Sequence, residues 1–409
     1  MLIKLAWRNI WRNRRRTLIT SAAVMFAVFF SVFMESIQRG AWDHMLDNVV
    51  NFYYGYAQVH QKGYWDEPSL DLAMPADEAF VQRLRQTPGV QDAVPRVETF
   101  ALAAYDQQTT GIMVVGADPA AENALTRLQT HLTKGNYWAQ SDSPQALVAE
   151  GVASRLQIGV GDTIVLLSQG YRGVNAAGKY PVGGLLRFGS PDLNKRMVYL
   201  TLPVARQWLG AEGVVTTLAL KIPDKQTAPG VVAALNSGLD TTQYEVMDWQ
   251  QMIPELVEAK ALDSAGNKLV MLVLYIIITF GILGAILMMI KEREREFGVL
   301  IGIGMQRLRL AFTVWLEVVF MGLLGVGAGI VLGLPLVYYF HLNPIDLSVM
   351  GEEAVKTYEK FGMEPVLPAV VEPGIFIGQA LVILIITTIL AIYPLWRLAR
   401  MEPVQAMRA

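Results

Sequence analysis

The 409-residue chain contains no cysteine and only four histidines. The first absence removes disulfides and thiol chemistry, and a chain without thiols tolerates an oxidising compartment. His44, His60, His131 and His341 are far apart and form no HExxH, so no metal-ligand spacing exists. Charge is scarce too: Asp, Glu, Lys and Arg make up 17% of the chain, against about 25% in soluble domains. The basic clusters lie beside apolar runs rather than on a basic domain, which argues against nucleic acid as a partner. No GxSxG nucleophile elbow occurs. One stretch imitates a phosphate loop, Gly173-Val174-Asn175-Ala176-Ala177-Gly178-Lys179-Tyr180. It fails at Tyr180, where Ser or Thr would hold Mg²⁺, and a Gly-rich turn is the expected structure. These absences predict no catalytic site, no metal and no cofactor in this chain.

Apolar sequence fills the space. Hydrophobic residues make up 53% of the chain and the mean hydropathy is +0.34, which points to partial membrane insertion. Residues 1–16 interleave Trp7, Trp11 and aliphatic side chains with Lys4, Arg8, Arg12, Arg14, Arg15 and Arg16, the pattern of an interfacial amphipathic helix. The next apolar run exceeds the roughly 7–15 residues of a signal-peptide core, and no cleavage site closes it. Crossing the bilayer takes about 20 apolar residues. Four runs qualify: 17–39, 267–290, 310–340 and 374–396. Glu35 lies near the far end of the first. Glu317 lies within the third, where a place in the bundle interior or a snorkelling position is expected ahead of a functional role. Gly281 and Gly284 in the second run permit close helix packing. Gly325, Gly329 and Gly333 in the third form overlapping GxxxG patterns, which mark either a tight helix–helix face or simple tolerance of glycine in a membrane helix.

Residues 40–266 change character, with Gly and Pro punctuation and short alternating runs. Ile112–Gly116, Ala146–Ala149, Thr163–Leu167 and Met197–Leu200 read as strands. Ala76–Arg85, Ala120–Leu132 and Pro203–Leu209 read as helices, and Gly170–Asn194 as a Gly-rich break that would divide two subdomains. The predicted fold class is therefore an α-helical membrane protein with four transmembrane helices plus an α+β extracytoplasmic domain inserted between helices 1 and 2. Phe52, Tyr53, Tyr54 and Tyr56 cluster early in that domain, with Tyr64 and Trp65 nearby. Such aromatics form an interfacial belt or a core, or line a substrate mouth. Lys and Arg flank the run ends at 1–16, 291–309 and 397–409, but not in 40–266 or the 341–373 loop. The positive-inside rule then puts both termini and 291–309 in the cytoplasm, and the large domain and the 341–373 loop in the periplasm.

The segment Lys291–Leu310, KEREREFGVLIGIGMQRLRL, is the most informative stretch. Alternating charges lead into an apolar Phe297-Gly298-Val299-Leu300, and Gly302 and Gly304 bend the chain before the third run. A charged helix start alone is a solvated face. With an apolar knob behind it, projecting between two spans, it suits docking into a groove of a soluble partner.

These residues resemble the family of ABC transporter permeases that includes the lipoprotein-release, macrolide-exporter and cell-division types. Glu292, Arg293, Glu296, Phe297, Gly298, Val299, Leu300, Ile303 and Gly304 stand in register with its cytoplasmic loop motif, E-R-x-x-E-[I/F]-G-[V/I]-L-+-A-[L/I]-G. Ile301 stands where the family has a basic residue, and Gly302 where it has Ala. Pro394, Arg397, Ala399, Pro403, Ala406 and Arg408 resemble its C-terminal signature. Val114–Pro119, Ala149–Asp162 and Phe188-Gly189-Ser190 resemble its MacB-like periplasmic domain. The resemblance implies a stand-alone mechanotransmission permease of the bacterial inner membrane whose 291–309 segment is an ATPase-coupling helix. ATP and Mg²⁺ would sit on a cytoplasmic ABC ATPase dimer, and a second permease subunit, identical or related, would complete the membrane part. The implied activity is extraction of lipoproteins or other lipid-linked cargo, handed to a periplasmic carrier. Alternatives are drug or peptide efflux through an adaptor, signalling to a cell-wall hydrolase, or a membrane-anchored binding protein without an ATPase.

Overall fold

The computed structural model describes residues 2–12, 14–351, 353, 355 and 365–400, and divides the chain into two compact units. The first comprises residues 1–42, 259–346 and 366–409, and the second residues 43–258 and 347–365.

The first unit is helical. An N-terminal helix, Leu2–Arg12, precedes a first long helix, Arg14–Val49, whose last turns enter the second unit. A second long helix runs Pro254–Glu292, a short helix Glu294–Gly302 and a third long helix Arg307–Leu342. A fourth, Pro373–Leu390, continues after a break as Ile392–Ala399. Four of these helices are long and apolar enough to cross a membrane. Helices suit that task because each satisfies its own backbone polar groups. Their inner faces form one core around Val24, Val28, Ile286, Val318, Met321 and Ile383. The outer faces expose Leu269, Phe280, Val331 and Ile385, as lipid-compatible surfaces do.

The glycines of the third helix separate the two readings of the GxxxG pattern. A Cβ at Gly325 would come within 2.6 Å of both Ser21 O and Val24 Cβ, and one at Gly329 within 2.8 Å of Met25 O and Val28 Cβ. The third and first helices thus approach at a distance only glycine allows. Gly333 is looser, 3.9 Å from Phe29 and Val32. Gly281 and Gly284 meet nothing within 4 Å, so the close packing they permit is not used among the described residues.

The second unit is α/β. Its strands are β1 (Ala57–Gln61), β2 (Met74–Pro75), β3 (Asp92–Tyr105), β4 (Gln108–Ala117), β5 (Leu132–Gly135), β6 (Ala146–Ala149), β7 (Thr163–Gln169), β8 (Asn175–Leu186), β9 (Met197–Thr201), β10 (Val214–Val215), β11 (Thr217–Lys221) and β12 (Tyr244–Asp248). The main sheet has the order β12-β1-β11-β3-β4-β9-β6-β8-β5, with β7 bridging β3 and β8. It is mixed: β4–β9 and β6–β8 are parallel and the other pairs antiparallel. The four strands expected from alternating patterns are all present.

Three expectations are corrected. Gly170–Asn194 is no break: about half of it is β8, a twelve-residue strand. Its glycines are close-packing points, since a Cβ on Gly178 would strike the Tyr180 ring and one on Gly184 the Leu132 side chain. The same strand absorbs the phosphate-loop look-alike from Asn175 onward, which is therefore mainly extended rather than a turn. The helix expected over Ala120–Leu132 ends at Thr126, because Arg127 adopts a left-handed conformation (φ 55°) and caps it.

Candidate functional site

The second long helix ends at Glu292. Arg293 leaves helical geometry, at φ −108° and ψ 6°, and the nine-residue helix Glu294–Gly302 begins. Glu294 and Glu296 in its first turn favour the positive end of the helix dipole. Gly302 closes it, and Gly304 follows at φ +104°, a backbone region costly for any residue with a Cβ. The loop turns there into the third helix.

Arg293 is the junction of this site. Its side chain is 6% exposed. Nη1 donates to Glu317 Oε2 at 2.6 Å, and Nε to Glu296 Oε2 at 3.1 Å. The guanidinium lies 4.8 Å over the Phe297 ring. Glu317, 1% exposed, also accepts from Asn9 Nδ2 at 2.6 Å. Arg12 closes the ring by donating to Glu296 Oε2 at 3.0 Å. Five side chains thus join the N-terminal helix, the short helix and the third long helix. Arg397 adds the last helix, with Nη2 3.8 Å from Glu294 Oε1. The Arg12–Glu296 pair is solvated and worth about 1 kcal/mol at most. The Arg293–Glu317 pair is desolvated, and removing one partner of such a pair costs about 3–5 kcal/mol.

The apolar knob expected at Phe297–Leu300 is corrected. Phe297 is fully buried, Gly298 is buried and Leu300 is half-buried. Helical periodicity turns Arg293 and Phe297, four residues apart, into the bundle. Arg295, Val299 and Ile303 face outward, and Val299 and Ile303 are 48% and 77% exposed. Glu292 and Gly304 are exposed as well. The motif therefore divides into an anchoring half and a presented half.

Sequence reasoning missed the partners of Arg293. The available signal was Glu317 itself, since a carboxylate inside an apolar helix calls for a nearby cation. In the C-terminal motif Pro394 is buried and Arg397 half-buried, while Pro403, Ala406 and Arg408 lie outside the described residues.

The aromatic cluster belongs to the α/β unit. Phe52, Tyr53 and Tyr54 occupy the π-helical turn Val50–Tyr54. Phe52 packs on His131 (4.2 Å between rings) and Tyr53 on Tyr54 (4.8 Å). The Arg96 guanidinium lies 5.3 Å over the Tyr53 ring. Tyr53 is buried and Tyr56 half-buried; burial pushes the Tyr53 phenol well above its usual range and that of Tyr54 up to about 12. All four aromatics join the packed cores of this unit: Tyr53 lies within one, Phe52 and Tyr54 pack against it, and Tyr56 packs against the other.

Comparison with known proteins gives two family matches. The FtsX-like permease C-terminal family matches residues 268–403, and the MacB-like periplasmic core domain family matches residues 17–237. The chain is similar to the lipoprotein-releasing system transmembrane protein LolC of Neisseria meningitidis serogroup B, at 21% identity over 333 residues, covering 78% of each protein. The protein of the same name from Xylella fastidiosa is 22% identical over 335 residues, again with 78% of each covered. Among solved structures, the periplasmic region of MacB from Actinobacillus actinomycetemcomitans matches with a TM-score of 0.36 and 11% identity, over 53% of this chain and 98% of that one.

Proposed function

Because the chain belongs to the ABC transporter permeases that carry a MacB-like periplasmic core domain and an FtsX-like permease domain, we propose that it is a membrane subunit that carries the motion of a partner ATPase to a periplasmic domain. In this reading both termini and the short helix are cytoplasmic, and the α/β domain, inserted between the first two spans, is periplasmic. ATP and Mg²⁺ are held by the partner dimer, and a second permease subunit completes the complex. The cargo class is lipoprotein or a similar lipid-linked molecule, by analogy with relatives named for lipoprotein release.

The observation that carries the proposal is the division of the short helix. Arg293 fastens it to the third long helix, Phe297 is buried in the helical core, and Val299 and Ile303 leave an apolar stripe on its outer face. A force applied to the stripe reaches a membrane helix through a buried ion pair. A helix presenting apolar side chains at this spacing fits a groove on a soluble partner.

The test is co-purification of the full chain with its ATPase, and ATP hydrolysis by the complex in lipid nanodiscs. Val299→Asp with Ile303→Asp should abolish co-purification and leave insertion and folding of the permease intact, because both positions are exposed. Retention of the ATPase by this variant would refute the docking assignment. Lipoprotein release from proteoliposomes to a soluble carrier tests the cargo class. Failure to release lipoprotein, with coupled hydrolysis preserved, would point to efflux or signalling instead.

A further inference from the structure

The α/β unit contains a cavity of about 270 Å³ whose walls include Tyr53, Tyr54, Tyr64, Trp65 and Glu98. Tyr53 and Tyr54 meet edge to face, and Tyr54 meets Trp65 at 6.0 Å between rings. Tyr64 is buried and stacked on His60 at 5.4 Å, which fixes its orientation. Aromatic side chains, Phe100 included, thus supply five of the eleven wall residues, and aromatic rings attract cations.

Glu98 is the unusual member. It is 5% exposed. Oε2 accepts from Thr217 Oγ1 at 3.2 Å; the Tyr53 hydroxyl and Arg96 Nη1 are the other polar neighbours of the carboxylate, and Oε1 makes no well-formed hydrogen bond among the described residues. Its charged neighbour, Arg96 Nη1, stands 3.7 Å away and is occupied elsewhere. Arg96 donates through Nε and Nη2 to both oxygens of Glu122, at 2.8 and 2.7 Å, and through Nη1 to Tyr53 O at 2.6 Å. The buried cluster therefore holds two carboxylates and one guanidinium. Arg196, also on the wall, is exposed and paired with Asp192. Burial pushes the Glu98 carboxyl above the usual carboxylate range, against the pull of Arg96, Tyr53 and Thr217.

A buried carboxylate oxygen that makes no well-formed hydrogen bond is costly, and protein interiors rarely leave one so. We propose that this cavity binds an organic cation, a quaternary or protonated amine, with its charge over the tyrosine and tryptophan rings and against Glu98. The volume is just under the roughly 300–1,000 Å³ of drug-sized pockets, so it takes a small amine or the ammonium head of a larger molecule.

Choline and its uncharged isostere 3,3-dimethylbutan-1-ol test this, titrated calorimetrically into the full chain in nanodiscs. Choline should bind at least tenfold more tightly than the isostere. Glu98→Gln should remove that preference, and Trp65→Leu, at a half-buried position, should weaken choline at least fivefold. Circular dichroism establishes that each variant is folded; if Glu98→Gln is not, Trp65→Leu carries the test. Equal binding of choline and isostere, no detectable choline binding, or unchanged affinity in the folded variants would each overturn the proposal.

Discussion

Replacing Arg293 by Gln should damage the protein far more than replacing Arg12 by Gln, although both arginines bind the same Glu296 oxygen, at 3.1 and 3.0 Å. The difference comes from burial. Arg12 is 64% exposed and its partner 53%, so water replaces the lost bond and the expected cost is about 0.2–1 kcal/mol. Arg293 is 6% exposed and Glu317 1%. Without Arg293, Glu317 keeps, among the described residues, only the Asn9 amide in a site that excludes water. The expected cost is about 3–5 kcal/mol, mostly the stranded carboxylate rather than the lost attraction. Adding Glu317→Gln should therefore recover part of the loss, with a coupling between the two sites of about 0.5–3 kcal/mol. The assay is guanidinium unfolding in detergent micelles, followed by tryptophan fluorescence, on the wild type, the three single variants and the double variant. Stimulation of the partner ATPase in nanodiscs is measured alongside. If Arg293→Gln cost no more than Arg12→Gln, or if the two Gln changes were simply additive, the buried ring would not be the joint described above.

Other outcomes follow from packing and titration. Gly325→Leu should drive a side chain into Ser21 and Val24 and destabilise by about 1–3 kcal/mol, whereas Gly284→Leu, with nothing within 4 Å, should leave the monomer's stability unchanged. The same unfolding assay reads both. His60 is buried and neutral, and burial alone depresses its pKa from 6.5 to about 3. Its unfolded form takes up a proton before the folded form does. Stability is therefore full above pH 6.5 and falls as pH drops from about 6.5 toward 3. His60→Gln should flatten that stretch of the acid limb in a pH series of the full chain, and an unchanged limb would contradict the assignment.

How much was legible depended on the range of the interaction. Apolar runs of this length have one low-energy form in a bilayer, so four helical spans follow from composition. Strands such as Met197–Thr201 are short β-branched or apolar stretches, and their local pattern sufficed. The Gly-rich stretch after Gly170 misled because glycine signals a turn only when no neighbour needs its missing Cβ. At Gly178 and Gly184 a tyrosine ring and a leucine occupy that space. Phe297 misled for a related reason. In a run of apolar residues nothing local says which face turns inward.

Within the candidate site, the sequence by itself determined that a charged, glycine-terminated segment links two apolar helices, and it located a carboxylate at Glu317 inside the next one. Those are properties of neighbours along the chain. Only the tertiary structure decided that Arg293 meets Glu317, that Asn9 and Arg12 arrive from the far end of the chain, and that Val299 and Ile303 are what remains outside. The physical reason is that a buried charge selects its partner by desolvation. The helices must pack before water is lost, and only then does an arginine 24 positions away become the partner of Glu317.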